Sequence, residues 1–358
     1  MQPDKKLRRS VLLRAGIAVL AVSGLAGFTG AARAQSVTSL VESGSSLLYP
    51  LFNIWVEAYR TVNPSTQITT TSTGSGAGIA QAIKGLVQIG ASDAYLSDAM
   101  AKAHPTMLSI PLAISAQSIN YNLPGISNLK LSGPILAGIY SGKITKWNDP
   151  EIAAANPGVT LPDDTIVPIR RLDGSGDTFI FSQYLSASDP GWKSSVGFGT
   201  TLSWPPISGE IGANGNQGML AAAQANQYSV AYIGVSYASK VAAAGLGTAA
   251  LKNASGNYVS PTPDTISAAA QSVASTTPPD ERISIIFTKG EESYPIVNYE
   301  YAVVNRKQSS PAVAHAIRTF LTWAINEGND MKYLSQVNFL PLPPAIKALS
   351  AAQIAKIK

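Results

Sequence analysis

Between residues 36 and 123 the apolar positions follow a repeating order, in which a short β-type run gives way to a helix-type run. Ser36–Val41 reads as a strand, and Pro50 then opens a helix with Leu51, Ile54, Trp55, Ala58 and Tyr59 on one face. The Thr/Ile-rich stretch Gln67–Ser72 reads as a second strand, and the helix after it carries Ile79, Ile83 and Leu86 at helical spacing. Val87–Ala91 is a third short strand, which delivers Ser92-Asp93 at its end. Repeated strand–loop–helix units of this kind predict an α/β protein with a mostly parallel sheet and helices on its faces.

Beyond Ile110-Pro111, Ile114–Leu123 reads as a long strand that stops at Pro124. Helical Ile135–Tyr140, strand Thr165–Arg171 and helix Phe179–Leu185 follow. A glycine- and asparagine-rich loop, Gly209–Gly218, precedes helix Met219–Ala225 and the strand-like Ser229–Ser236. Polar connections around one helix occupy residues 253–282. The pattern changes again near Tyr294-Pro295, with strand Ile296–Val304, amphipathic helix Pro311–Ile325 and a last short helix after Pro344.

Three of the strand-to-helix junctions are rich in Ser and Gly: Glu42-Ser43-Gly44-Ser45-Ser46, Thr73-Gly74-Ser75-Gly76-Ala77-Gly78 and Asp173-Gly174-Ser175-Gly176-Asp177-Thr178. A helix start presents unpaired backbone N–H groups and the positive end of the macrodipole, which together attract anions. Glycine lets a ligand approach the backbone, and serine adds a hydroxyl donor. Each stretch alone fits an ordinary N-cap and turn. Taken with Asp93 and Arg171, the three together point to a pocket for a small oxyanion. In open α/β sheets such pockets lie at the carboxyl ends of strands, where all three stretches fall.

Composition changes the picture in three places. Residues 1–34 combine a basic segment (Lys5, Lys6, Arg8, Arg9, Arg14), an apolar run from Ala15 to Phe28 and the small-residue site Ala32-Arg33-Ala34, which predicts a cleaved signal peptide and a mature start at Gln35. The apolar run falls short of the ~18–20 residues that a span needs, and Arg8-Arg9 leaves both the general and the twin-arginine export routes open. Removing this leader takes away six basic residues and one acid, and leaves twenty of each sign in the mature chain. No electrostatic case for nucleic acid or a membrane surface survives that. The chain has no cysteine, which excludes disulfides, cysteine nucleophiles and thiolate metal sites.

The residues at these junctions also carry a resemblance. Arg170-Arg171-Leu172-Asp173-Gly174-Ser175-Gly176, Ile89-Gly90-Ala91-Ser92-Asp93-Ala94 and Tyr140-Ser141-Gly142-Lys143-Ile144-Thr145-Lys146-Trp147 are specific landmarks. Through them, and over nearly the whole mature chain, the sequence resembles the exported phosphate-binding proteins of high-affinity phosphate ABC transporters. The resemblance implies a type II periplasmic-binding-protein (Venus-flytrap) fold, with two α/β lobes on a two-strand hinge. Lobe I would comprise residues 35–114 and 295–358, and lobe II residues 115–294, with the hinge near Ile114–Gln117 and Tyr294–Asn298. It also implies a periplasmic, monomeric receptor without cofactor, metal or catalytic step, which hands inorganic phosphate to an inner-membrane ABC permease.

Carried over by motif, Ser45, Ser46 and Leu47 would supply hydroxyl and backbone donors, and Ser75 a hydroxyl. Asp93 would accept the proton on phosphate, Arg171 would make the charge-assisted contact with Asp173 holding it, and Ser175, Gly176 and Asp177 would donate from the third helix start. Leu47 stands where the pattern has an aromatic residue, and Asp177 where many relatives have Thr. An ionised carboxylate at 177 cannot donate, so its side chain pairs with Arg171 or turns away. Phosphate at neutral pH carries at least one proton and sulfate none, so a fixed Asp93 favours the first and repels the second. Each charge-assisted hydrogen bond contributes about 1.5–3 kcal/mol.

Other chemistries fit less well. Gly76-x-Gly78 has Gln81 where a dinucleotide fingerprint needs Gly or Ala, and Gly142-Lys143 is followed by Ile144. Gly234-Val235-Ser236-Tyr237-Ala238 approaches a hydrolase nucleophile elbow but ends in Ala, and the chain has two histidines, His104 and His315. A phosphatase would need a nucleophile or clustered metal ligands. A sulfate or molybdate receptor is the alternative within the same class, and Asp93 argues against it. Trp147, Trp323, Tyr299 and Tyr301 read as packing residues, and Asp93 alone fits a helix cap equally well.

Overall fold

A computed structural model describes the chain from residue 37 to residue 358. The expected leader over 1–34 and its cleavage point therefore lie outside the described residues. Strands β1 (Thr38–Gly44), β2 (Thr66–Ser72) and β3 (Ile89–Ser92) are parallel, with β1 in the middle. The long β4 (Met107–Tyr121) is buried along its whole length. After the short β5 (Lys130–Leu131) come β6 (Val167–Arg171), β7 (Ile211–Ala213), β8 (Ser229–Gly234), β9 (Gly247–Thr248), β10 (Ala250–Lys252), β11 (Tyr258–Val259) and β12 (Val297–Asn305). The main sheet runs β2-β1-β3-β12-β4-β8-β6-β7 with β9 also on β4, while β5, β10 and β11 form a second, small sheet.

The main sheet is mixed rather than mostly parallel. Two parallel blocks, β2-β1-β3 and β8-β6-β7, flank a centre in which β12 and β4 pair antiparallel with each other and with their neighbours. The cause is connectivity: a strand leaving one block and a strand returning to it run in opposite directions. β4 pairs with β12 from Met107 to Ala116 and with β8 from Gln117 to Tyr121, so one continuous strand serves both blocks.

Element positions depart from the sequence pattern where local chemistry intervenes. β4 begins at Met107 rather than Ile114, passing through Pro111, which has no N–H to give a ladder. The pairing with β12 shifts beside that proline, Tyr301 facing Pro111 and Glu300 facing Ala113, so Leu112 is the extra residue of a bulge that absorbs the gap. The helix Ser75–Ile83 stops before Leu86, which is exposed. Gly85 at φ +69° follows the helix end and turns the chain away, as left-handed glycines do there. Trp147 is buried with its indole N–H on the Tyr228 carbonyl (2.8 Å), and Trp323 stacks on Phe320. Among the described residues no helix is long and apolar enough to cross a membrane.

One buried acid in β1 makes stability depend on pH. Glu42 is wholly buried, the Thr70 hydroxyl donates to its Oε2, and its Oε1 has no partner among the described residues. Burial pushes its pKa from 4.5 up to about 8 against the pull of Thr70. The folded state then binds the proton more tightly than the unfolded chain, so this stabilisation is full below 4.5 and is lost as pH rises to about 8. Urea unfolding at pH 5 and pH 8.5 is expected to show a lower midpoint at the higher pH, and Glu42→Gln to reduce that difference.

Candidate anion-binding site

Each Ser/Gly stretch does open a helix, and each uses its serine or glycine to make the turn. Ser45 Oγ accepts from the backbone N–H groups of Leu47 (3.1 Å) and Leu48 (2.9 Å), closing the turn into helix Tyr49–Val62. Gly74 precedes helix Ser75–Ile83 at φ +87°, a conformation that suits glycine, and a side chain there would strike Asp173 and the Gly174 carbonyl. Ser175 caps helix Gly176–Ser188 by accepting from Thr178 N–H (3.1 Å). The capping role and the clustering described next coexist in the same residues.

The three starts, at the carboxyl ends of β1, β2 and β6, converge on the residue just past β3. Asp93, just past β3, accepts the Ser45 hydroxyl on Oδ1 and the Ser75 hydroxyl on Oδ2 (3.2 Å). Its backbone N–H donates back to Ser75 Oγ (3.2 Å), so it is not the cap of the following helix, which Ser97 supplies. Gly176 packs against the same carboxylate and against Ser75 Oγ, with no room for a β-carbon. Across the gap, Gly76 N–H donates to the Gly174 carbonyl (2.8 Å) and ties the second stretch to the third.

Arg171 ends β6 with its side chain 1% exposed, which excludes a plain surface ion pair. Its Nε donates to Asp173 Oδ1 (2.6 Å), its Nη2 to Asp173 Oδ2, and its Nη1 to Asp177 Oδ2 (2.6 Å). Asp177 therefore pairs with Arg171. It also accepts from Gln117 Nε2 (3.1 Å) and Asn216 Nδ2 (2.8 Å). Asn216 reaches Ser46 Oγ through its backbone N–H (3.0 Å) and Nδ2 (2.9 Å), joining the first stretch to the same network. Leu47 is buried against Gly234, and its N–H is occupied by Ser45. Beside the network lies a cavity of about 380 Å³, bordered by Ser46, Tyr49, Thr73, Asp173, Asn216 and Tyr237.

Carboxyl groups outnumber cations here. Burial and then the nearby Asp177 push Asp93 from 3.8 up to about 7, while Glu300, Ser45 and Arg171 hold it down. Burial also pushes Asp177 up, against Arg171, Gln117 and Asn216. For Asp173 burial acts upward too, but the Arg171 guanidinium outweighs it and keeps this carboxyl below its ordinary value. Among hydroxyl donors and near Arg171, the Asp93 carboxylate offers an acceptor for a proton-bearing oxygen, which suits a protonated oxyanion.

Three participants were not legible as such in the sequence: Asn216, Gln117 and Glu300. Asn216 sits in the Gly/Asn-rich loop, which was visible, but a neutral amide gives no pattern of its own. Gln117 and Glu300 lie in the buried strands β4 and β12, and Glu300, the one acid of its strand, is the signal that was available. Ser236, the serine of the elbow-like run, donates its hydroxyl to the Leu47 carbonyl (2.8 Å), and His315 is exposed on its helix.

Comparison with known proteins gives the family and the fold. A family model described as a PBP superfamily domain matches residues 29–327. The phosphate-binding protein PstS of Xylella fastidiosa (strain 9a5c) is 34% identical over 319 residues, covering 88% of this chain and 85% of the relative. The PstS of Methanocaldococcus jannaschii is 32% identical over 387 residues, covering 100% and 98%. Among solved structures, the phosphate-binding protein of Stenotrophomonas maltophilia superposes with a TM-score of 0.69 at 20% identity, over 88% of this chain and 93% of that one. A high-affinity periplasmic phosphate-binding protein solved with phosphate gives 0.68 at 23% identity, over 88% and 93%. The fold is the type II periplasmic-binding-protein fold that the resemblance implied.

The close packing at the third helix start is testable by itself. Gly176→Ala is expected to displace the Asp93 carboxylate or the helix start and to lower stability by about 1–3 kcal/mol, read by chemical denaturation.

Proposed function

The chain belongs to the PBP superfamily, among the PstS-type phosphate-binding proteins, and from that premise we propose that it binds inorganic phosphate between two lobes and passes it to a membrane ABC permease. The family is one of transport substrate-binding proteins rather than enzymes, and the proposed role has no catalytic step. The observation that carries the reading is the position of Asp93, whose carboxylate faces the Ser45 and Ser75 hydroxyls and the Gly176 helix start at once.

In this reading Ser45, Ser46, Ser75, Ser175 and Gly176 supply hydroxyl and amide donors to the phosphate oxygens, while Leu47, whose N–H goes to Ser45 Oγ, closes the turn that presents them. Arg171, braced by Asp173, supplies the single full positive charge. Asp93 accepts the phosphate proton, and Asp177 orients Arg171 rather than donating. Preformed neutral donors in a site shielded from water suit an anion stripped of its hydration. The protein would be exported through a cleaved leader and act as a periplasmic monomer.

Lobe I is assigned to residues 35–114 with 295–358, and lobe II to 115–294. The support is the change of partner along β4 between Ala116 and Gln117, beside the start of β12 at Val297. Closure would turn on these two strands. Tyr294 Oη bonds the Gln117 carbonyl (2.9 Å) and Gln117 N–H the Ile296 carbonyl, so the two crossings are coupled.

Titration calorimetry is expected to give heat with phosphate and arsenate and little with sulfate. Asp93→Asn should lose most of that discrimination, because the amide no longer repels a fully ionised oxygen. Absence of heat with phosphate in the parent protein would sink the reading. Crystals grown with and without phosphate are expected to differ in the angle between the lobes, with the change confined to Ile114–Gln117 and Tyr294–Asn298. An unchanged angle would remove the hinge.

A further inference from the structure

Behind Asp93, on the central strand β12, stands a second carboxyl group. In the antiparallel pairing of β12 with β3, Tyr301 faces Ser92 and Ala302 faces Ala91, which places Glu300 opposite Asp93 at the next step. Residues so opposed bring their β-carbons within about 4.5–5.5 Å and point to the same side of the sheet. The two carboxyl groups are within hydrogen-bonding reach of each other. Glu300 is wholly buried. Its Oε1 accepts from the Ser115 hydroxyl and from Asn298 Nδ2 (3.1 Å), whereas no donor among the described residues reaches its Oε2. Asn298 Nδ2 also donates to the Asp93 carbonyl (3.4 Å), so the same amide registers both residues.

Two carboxylates facing each other away from water cannot both be ionised. The groups around the pair decide which one keeps the proton. Asp93 has hydroxyl donors from Ser45 and Ser75, and Arg171 from β6 favours its charge, with Asp177 from the third helix opposing. Glu300 faces a hydroxyl from β4, an amide from its own strand, and Asp93 as its one charged neighbour. Burial, followed by Asp93, pushes Glu300 well above the usual carboxylate range.

We propose that Glu300 is a neutral carboxylic acid whose Oε2–H donates to Asp93, and that it is the positioning residue that keeps Asp93 ionised and aimed at the ligand. A carboxylate has about four acceptor positions. Glu300 fills one of those on Asp93; the Ser45 and Ser75 hydroxyls, which occupy two more in this structure, have one hydrogen each, so a bound anion takes those two donors and gives its own hydroxyl to Asp93. The affinity consequences rest on the phosphate reading above, while the protonation state is measurable without any ligand.

Two variants separate the roles of Glu300. Glu300→Gln keeps a donor toward Asp93, and Glu300→Leu removes it. Infrared difference spectra of the ligand-free parent against Glu300→Gln at pH 7 are expected to show the C=O stretch of a protonated carboxyl in the parent, and its absence would overturn the proposal. In calorimetry with inorganic phosphate, Glu300→Gln is expected to bind within about threefold of the parent, and Glu300→Leu roughly ten- to a hundredfold more weakly, with a narrowed preference over sulfate. Glu300→Leu binding as tightly as the parent would also overturn it. Should Glu300→Leu not fold, the infrared band and the glutamine rescue still decide. A parent protein that shows the band but no heat with phosphate would sink the phosphate reading and leave the carboxyl pair standing; heat without the band would do the reverse.

Discussion

Arg171 reaches the end of β6 almost wholly removed from water, and its three donor nitrogens are divided between Asp173 and Asp177. A buried guanidinium held on two sides has no freedom to swing, so its position fixes the axis along which an anion can meet it. Removing one partner of such a pair typically costs about 3–5 kcal/mol, because the remaining charge is left uncompensated. The helix starts, the Asn216 bridge to Ser46 and the Gly76–Gly174 contact are all arranged around that fixed group.

The fold brings these groups together because the parallel blocks point their carboxyl ends at one another. β1 and β3 deliver Ser45 and Asp93 from one block, and β6 and β7 deliver Arg171 and the Asn216 loop from the other. β4 and β12 join the blocks by an antiparallel ladder rather than by loops, which keeps the two sets of donors facing each other. Glu300 lies in that ladder, so one strand both connects the blocks and supports the acid of the site.

Much of this was legible in the chain. The Ser/Gly stretches announced themselves because turn chemistry and helix capping use few residue types, and Asp93 and Arg171 stood at strand ends where a charge has a purpose. The antiparallel centre was not legible, since hydrophobic runs give burial but not direction. Pro111 read as a strand break because the bulge at Leu112 that accommodates it is defined only by pairing with a strand nearly two hundred residues away. The amide contacts of Asn216 and Gln117 depend on distant backbone meeting them, and no local spacing encodes that.

The division of Arg171 between two acids has a consequence for how a ligand arrives. Residues 35–358 carry equal numbers of basic and acidic residues, and the buried Arg171 guanidinium is already neutralised, so little positive field extends into solvent. Counterions screen interactions beyond about 8–10 Å at ordinary ionic strength, and here there is little long-range attraction for them to screen. For an anion meeting such a site, contact-range dipoles outweigh long-range attraction, and ionic strength has little to act on.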